Sequence, residues 1–313
     1  MEIIDVLTGQ DTRAGSSLKS VTNDVAACRV LNHENYESNL VLVDCPGFDD
    51  TTKGDKYTLE TISSWLSKTY GILSSFATKL TQIYLRRFKK KITLSGIIYV
   101  HRITDIRMSG TAHRNLRMFG ELCGDKSAKN VVIVTTMWDN ARNKEEASKR
   151  EDSLKDRYWN VLLHHQASVA RFYNDQDSAW KIIDQVAGLD RTAVLLQEEM
   201  VTLGRNLNET NAGKALYRDL QGLLEKQNKT MHLLAEKAEG AQTPEDVDAE
   251  MNKLREEIDT LLKEVEGMQV PFGRRLALFL GKVLGRKAQA VIQCRSHLLV
   301  RHNSWIFLGR LAY

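Results

Sequence analysis

The order of apolar patterns along the chain is the feature that most restricts its fold. Up to about residue 188, short runs rich in β-branched residues alternate with longer segments whose apolar residues recur at helical spacing. This alternation is typical of an α/β domain with a mostly parallel sheet. From Asp190 to Met268 the strand pattern gives way to leucines at intervals of three and four. The sequence therefore predicts an α/β domain followed by a long helical or coiled-coil region.

The elements of the first part can be given approximate bounds. The candidate strands are Cys28–Leu31, Leu40–Val43, Gly96–His101, Val131–Thr135 and Val169–Tyr173. The candidate helices are Leu59–Tyr70, Ala112–Cys123 and Ser148–Leu163. Open α/β sheets bind ligands at the carboxyl ends of their parallel strands. The polar residues that follow each strand are therefore the first candidates for a site.

Composition restricts the class of protein. The 313 residues include 42% apolar side chains and only three prolines, which favours a folded, helix-rich chain. The four cysteines are scattered without a C-x-x-C pair, as in reduced thiols, and no window reaches the length of apolar residues that a membrane span needs. We expect a cytoplasmic protein that makes no specific contact with nucleic acid.

The charge is distributed unevenly. All 40 acidic residues lie at or before Glu266, whereas eight of the 44 basic residues lie after it. The first 266 residues therefore carry a net charge of −4 and the tail carries +8. Within this tail, cations alternate with apolar residues over 274–287, as in a helix at a membrane surface. A basic helix that packs on the acidic remainder is an equally weighted alternative.

A short motif at the end of the second strand predicts a phosphate site. The apolar run Leu40–Val43 ends in Asp44-Cys45-Pro46-Gly47. An aspartate at this point can hold Mg²⁺ through water, and a glycine lets its backbone amide approach a terminal phosphate. Taken alone, D-x-x-G is a weak pattern that recurs by chance in chains of this size.

Two later segments predict a guanine site. The run Val131–Val134 leads to Thr135-Thr136-Met137-Trp138-Asp139, where the Asp139 carboxylate can accept hydrogen bonds from guanine N1 and N2 groups that adenine does not offer. Phe172 and Tyr173 precede Asp177-Ser178-Ala179-Trp180, where a turn at Ser178 and Ala179 can offer a backbone amide to guanine O6. Each segment singly is more often a surface loop. Their order, each after a strand, favours the site.

With these segments the chain resembles P-loop GTPases, and closely a group of fungal G-domain proteins related to septin-like and immunity-associated GTPases. The matching blocks are Leu18–Thr22, Val43–Thr52, Leu94–Ile103, Arg107–Gly110 and Thr135–Asp139. The resemblance covers about residues 1–188 and implies a GTP-binding regulatory or assembly switch. It implies that Thr22 closes on Mg²⁺ and the γ-phosphate, that Asp44 and Gly47 sense Mg²⁺ and phosphate, and that Thr136 and Asp139 belong to the guanine-reading motif.

The chain departs from this family where the phosphate-binding loop is expected. No G-x-x-x-x-G-K-[S/T] loop occurs in the sequence, so its lysine and its Mg²⁺-binding hydroxyl are absent. The helix that follows the loop in the family matches Ile3–Gly9. The resemblance thus implies an incomplete chain, with a functional isoform as the alternative. It also implies that the strands of Val41 and Ile98 lack their shared central neighbour. We expect weak or no GTP binding, and hydrolysis is uncertain.

A second departure is a basic insertion of about eighteen residues between Tyr70 and Lys91, at about 71–90. Its length suggests retained intron sequence as readily as a true loop.

Water positioning also differs from the common GTPase pattern. Phe48 stands where many GTPases carry a glutamine, which leaves His101 and Arg102 as candidates, although a structural role at a strand end is more frequent. Relatives often obtain the missing group across a dimer.

Three functions follow as hypotheses. They are a GTP-dependent switch over 1–188, an interaction scaffold that uses the helical region 189–268 with a homodimer or coiled-coil partner, and a membrane-surface protein that uses the basic tail 269–313.

Overall fold

The computed structural model describes residues 2–9, 25–29, 40–48, 54–70, 94–238, 244–271 and 305–310. The chain forms two compact units. Unit 1 contains Met1–Arg205 and Val291–Tyr313, and unit 2 contains Asn206–Ala290. The sequence placed the boundary at residue 188, whereas the short helical segments up to Arg205 belong to unit 1 and the end of the tail returns to it.

Unit 1 is built on a six-stranded sheet with the order β1-β2-β6-β3-β4-β5. The strands are β1 Ala26–Arg29, β2 Leu40–Cys45, β3 Leu94–Arg102, β4 Val131–Thr136, β5 Ser168–Arg171 and β6 Trp305–Arg310. β3, β4 and β5 pair in parallel, whereas β6 pairs antiparallel with both β2 and β3, and β1 antiparallel with β2. Hence β2 to β5 all run in one direction. The α/β class and the parallel β3-β4-β5 sheet are confirmed.

The centre of the sheet differs from the prediction. The sequence predicted that the strands of Val41 and Ile98 lack a shared neighbour, but β6 lies between them and pairs with both. Strand pattern alone did not identify residues 305–310, because the basic tail around them dominates the composition. The strand that fills the centre therefore comes from the far end of the chain.

Helices cover both faces of the sheet. The longer helices of unit 1 are α1 Glu2–Thr8, α2 Asp55–Tyr70, α3 Gly110–Cys123, α4 Lys144–Leu154 and α5 Gln176–Ala187. After α4 the chain continues through a π-helical turn, Lys155–Trp159, and the short helix Asn160–His164; other short segments are Asp125–Ala128, Leu195–Gln197 and Glu198–Thr202. Side-chain caps fix the starts of α3, α4 and α5, at Ser109, Asn143 and Asp175.

The alternation of side chains along β3 divides the core into two layers. Ile98 packs in the cluster formed by α1, α5 and strands β2 and β4, which includes Ile3 and Ile182. The ring of Tyr99, on the other face, lies 5.0 Å from that of Phe119 in α3. This period of two is what a sheet buried on both sides requires.

Unit 2 is a helical hairpin. It begins with a 3-10 turn, Leu207–Glu209, and contains α6 Asn211–Ala238 and α7 Pro244–Met268, which pack on each other. Gln227 hydrogen-bonds Glu257 across the pair, at 2.8 Å. Leu216, Leu220, Leu254 and Val265, which belong to the apolar residues spaced at three and four, are buried. The structure thus contains a long helical region within the predicted range, although the first part of that range, up to Arg205, belongs to unit 1.

Several predictions lie outside the described residues. They concern Thr22, the insertion at 71–90 and the basic segment 274–287. In the part of the chain that the structure does describe, no helix is both long enough and apolar enough to cross a membrane.

Candidate functional site

The strand directions bring most of the predicted site residues to one edge of the sheet. β2 and β4 run the same way, so Asp44 and Gly47 at the end of β2 share this carboxyl edge with Thr136 and Asp139 at the end of β4. α5, which contains Ser178 and Ala179, begins directly after β5 at the same edge. Thr22 lies outside the described residues. The arrangement matches the rule that open α/β sheets bind ligands at this edge.

The D-x-x-G segment is buried. Asp44 retains 1% of its accessible surface, and Cys45, Pro46, Gly47 and Phe48 are buried with it. Burial, reinforced by the neighbouring Asp44 carboxylate, raises the pKa of the Cys45 thiol well above its usual range. A ligand therefore reaches this segment only if the surrounding chain opens.

Two hydrogen bonds tie the segment to the helices beneath it. The Thr58 hydroxyl in α2 donates to the Gly47 carbonyl at 3.2 Å, and the Asn115 amide in α3 donates to the Phe48 carbonyl at 3.1 Å. These are side chains from two different helices, so the position of the Gly47 backbone depends on both. The contacts offer a physical route by which a change at Gly47 reaches α2.

At the ends of β4 and β5 a buried carboxylate organises the edge. Glu151 of α4 accepts hydrogen bonds from the Thr135 hydroxyl at 2.9 Å, from Arg171 at 2.7 to 3.3 Å and from Lys155 at 3.1 Å. Burial alone raises the pKa of Glu151, but hydrogen bonds from Arg171, Thr135 and Lys155 outweigh it, and the pKa lies below its ordinary value. Glu151 is therefore a charged anchor that joins α4 to both strands.

Trp138, the residue before Asp139, packs into this network. Its indole N–H donates to the Thr135 hydroxyl at 3.0 Å, and its ring lies 4.2 Å beneath the Arg171 guanidinium carbon. The Tyr173 ring lies 6.2 Å from it and is half exposed. Met137 adopts φ 63°, which turns the chain sharply between the buried Thr136 and Trp138 and leads to the exposed Asp139.

The structure corrects the prediction for Ser178 and Ala179. They lie in the first turn of α5 and not in an open turn. The Ser178 amide donates to the Asp175 carboxylate at 2.7 Å, and the Ala179 amide donates to the Asp175 carbonyl at 3.1 Å. Because the helix start uses both amides, neither is available to guanine O6 in this conformation.

His101 has a structural role at the end of β3, which was the alternative to a role in positioning water. It is buried, and its ring contacts Trp159 edge-on at 5.6 Å. Burial lowers the pKa of His101, although Asp105 opposes the effect, so the neutral imidazole is favoured. Arg102 is exposed and pairs with Asp105 at 3.4 Å. Neither the buried His101 nor the paired Arg102 has an arrangement that would position an attacking water.

The described residues do not fit a Mg²⁺ site as they stand. Mg²⁺ binds carboxylate and phosphate oxygens while keeping several waters, so it needs an accessible carboxylate. Asp44, the predicted ligand, is almost fully buried, and no cluster of three potential metal ligands occurs in the described part of the chain. The predicted metal role of Asp44 therefore has no support in this conformation.

Sequence reasoning missed the Glu151–Arg171 pair. Arg171 lies within the run Val169–Tyr173 that predicted a strand, and Glu151 within a predicted helix. A charged residue in the middle of an apolar strand was the available signal. Its partner could not be found without the fold, because twenty residues separate the two positions.

Comparison of the chain with protein-family models gives no match. A comparison with curated proteins gives none either.

Proposed function

We propose that this chain is a guanine-nucleotide-binding protein of the P-loop GTPase type that acts as a regulatory or assembly switch. The observation that carries the proposal is the shared edge of Asp44-x-x-Gly47 and Asp139, which follow strands of the same direction. At that edge the exposed Asp139 carboxylate accepts hydrogen bonds from the N1 and N2 groups of guanine. The family resemblance of residues 1–188 supports the same assignment.

The proposal concerns nucleotide binding and not turnover. Phosphoryl transfer requires positioned positive charge around the phosphates, which the lysine of the phosphate loop supplies in this class. The sequence lacks that lysine, and the D-x-x-G segment is buried. Contacts with the guanine base therefore have to supply most of the binding energy, and the affinity for GTP is expected to be weaker than about 1 μM.

Base selectivity tests the proposal. Titration of the chain with fluorescent GTP and ATP analogues is expected to give about tenfold tighter binding of GTP, and Asp139→Ala is expected to abolish the preference. Asp177→Ala, another exposed carboxylate at this edge, is the matched control and should retain it. Equal binding of the two nucleotides, or a preference that survives Asp139→Ala, contradicts the proposal.

Magnesium gives an independent arm of the same experiment. Because Asp44 is buried, addition of Mg²⁺ should change GTP affinity by less than about threefold. A larger change would mean that the segment opens around the nucleotide and that Asp44 then becomes a ligand.

An interaction scaffold is the second candidate function. The observation that favours it is exposed apolar surface on the hairpin, where Leu233 retains 58% and Leu262 40% of its accessible surface. We propose a second copy of the chain as the partner. Sedimentation of the wild type and of Leu233→Gln/Leu262→Gln with and without GTP tests it. A dimer that GTP does not affect and that the double variant loses favours the scaffold, and a monomer at all concentrations excludes it.

A further inference from the structure

A polar cleft lies at the opposite edge of the sheet from the candidate nucleotide site. The cleft is open to solvent and is lined by three connections at the amino ends of the parallel strands: the segment that leads into β4, the turn before β5, and Thr192, which bridges to Leu94 at the start of β3. The cleft has a volume of about 550 Å³, within the range of small-molecule sites. Its lining residues are Asp125, Lys126, Lys129, His164, His165, Gln166 and Thr192.

Hydrogen bonds hold the walls of the cleft in place. The Asn130 side-chain amide, almost fully buried next to Lys129, donates to the carbonyls of Ser95 and Asp190, each at 2.8 Å. Thr192 and Leu94 exchange two backbone hydrogen bonds of 2.9 and 3.0 Å. The cleft therefore joins three strand connections through fixed backbone, and a ligand would not have to order them.

The turn before β5 is fixed as well. Gln166 has φ 69°, and its backbone amide donates to the Leu163 carbonyl at 3.0 Å. The amide of the next residue, Ala167, donates to the Leu162 carbonyl at the same distance. This wall is thus set by local backbone geometry and not by the side chains that line the cleft.

The lining carries more cationic than anionic side chains and contains no large apolar residue. Its single carboxylate, Asp125, lies 3.6 Å from His165, and Lys126 only approaches Glu198 at 4.0 Å. Lys129 and His164 form no ion pair with any residue that the structure describes. The cleft lining therefore has more hydrogen-bond donors than acceptors. The additional donors are the ammonium groups of flexible lysines, which can bind phosphate-type oxygens as point charges.

We propose that this cleft binds a small, multiply charged oxyanion of the phosphate class, such as a phosphorylated small molecule without a large apolar part. Lys126 and Lys129 neutralise the charge, while Gln166 and Thr192 offer polar contacts from the facing walls. Because the lining contains no large apolar residue, it favours a polar ligand over a mainly apolar one. The site is separate from the proposed nucleotide edge, since the two lie at opposite ends of the same strands.

Calorimetry with inorganic phosphate and pyrophosphate, on the full chain at constant ionic strength, tests the proposal. Pyrophosphate is expected to bind more tightly than phosphate, and Lys129→Glu to weaken it at least about tenfold. Lys149→Glu changes the net charge equally at an exposed position on α4 and should leave the affinity unchanged.

Two further measurements keep the outcome decisive. Lys129→Gln, which removes charge without reversing it, should weaken binding by less than Lys129→Glu, and circular dichroism verifies that each variant is folded. Pyrophosphate should also shift the ring proton resonances of His164 and His165 and leave those of the buried His101 unchanged. Equal losses in Lys129→Glu and Lys149→Glu, or no measurable binding to the wild type, would overturn the proposal.

Discussion

The two halves of the sheet are assembled in different ways. β3, β4 and β5 are consecutive parallel strands, and Val132 pairs with Ser168, only 36 residues later. In the other half β2 pairs with β6, so that Leu40 meets Arg310 about 270 residues later. For flexible loops, closing the longer one costs about 2 kcal/mol more in chain entropy. The first half can form from local contacts, whereas the second requires a strand that arrives after the whole of unit 2.

The halves also differ in what holds their carboxyl edge. At β4 and β5 a buried carboxylate receives three charged or polar partners and a stacked tryptophan. At β2 the edge is held by burial and by two neutral hydrogen bonds to the Gly47 and Phe48 carbonyls. The comparison indicates that the β4–β5 edge is the preorganised part of the candidate site. If the proposed function is correct, the buried β2 edge has to move before a phosphate can reach it.

Breaking the central strand should have the largest effect. Leu308 pairs with Leu42 on one side and with Gly96 on the other. Leu308→Pro removes a ladder donor from a central strand and should cost about 3 kcal/mol or more, measured by urea unfolding. Ala312→Pro, beyond the strand, is the control. If the two variants are equally stable, β6 does not hold the β2 half in place.

Overpacking at β3 tests the strand through which the first half of the sheet pairs with β6 of the other half. A Cβ atom at Gly96 would lie 2.2 Å from Val186 Cβ in α5, so Gly96→Ala must displace the helix and should cost about 1 to 3 kcal/mol. Gly120→Ala in α3 meets nothing within 4 Å and should instead stabilise by about 0.5 to 1 kcal/mol. Thermal unfolding compares them, and a neutral Gly96→Ala would mean that α5 is not seated against β3.

Removing the charge from Glu151 tests the anchored half and should have a smaller effect of about 2 kcal/mol, because Arg171 is partly exposed. The pKa of Glu151 is depressed in the fold, so its contribution is complete above the ordinary value of about 4.3 and is lost as pH falls further. The stability difference between wild type and Glu151→Gln should therefore be constant above about pH 5 and shrink below it.

Glu146→Gln, at an exposed position of the same helix, is the control for this series. A difference for Glu151→Gln that does not depend on pH would show that the lost contact is packing and not charge.

The fold could be predicted where the pattern is local. The strands at Leu40, Gly96, Val131 and Val169 and the helices around 59–70, 112–123 and 148–163 agree with the structure within a few residues. Their apolar periodicity reflects burial against neighbours that are close in sequence. β6 was missed because a six-residue strand in a basic tail has no such context, and its pairing partners are remote.

The candidate site was predictable in outline and not in detail. The order of strands and polar residues was enough to place Asp44, Gly47, Thr136 and Asp139 at one edge. Hydrogen bonding could not be deduced in the same way. The Ser178 and Ala179 amides are used by the start of α5, and the Asp44 carboxylate is buried by the residues around it. Both outcomes depend on which groups surround a residue in the folded chain.

The sequence by itself determined the α/β character of unit 1, the helical hairpin and the polar residues that end each parallel strand. These follow from periodicity and local propensity, which each segment carries within itself. Only the tertiary structure decided that β6 fills the centre of the sheet, that Glu151 anchors Arg171 and Thr135, and that a cationic cleft forms at the opposite edge. Each of these joins groups from separate connections, and such contacts form only once the chain has paid the entropy of bringing remote segments together.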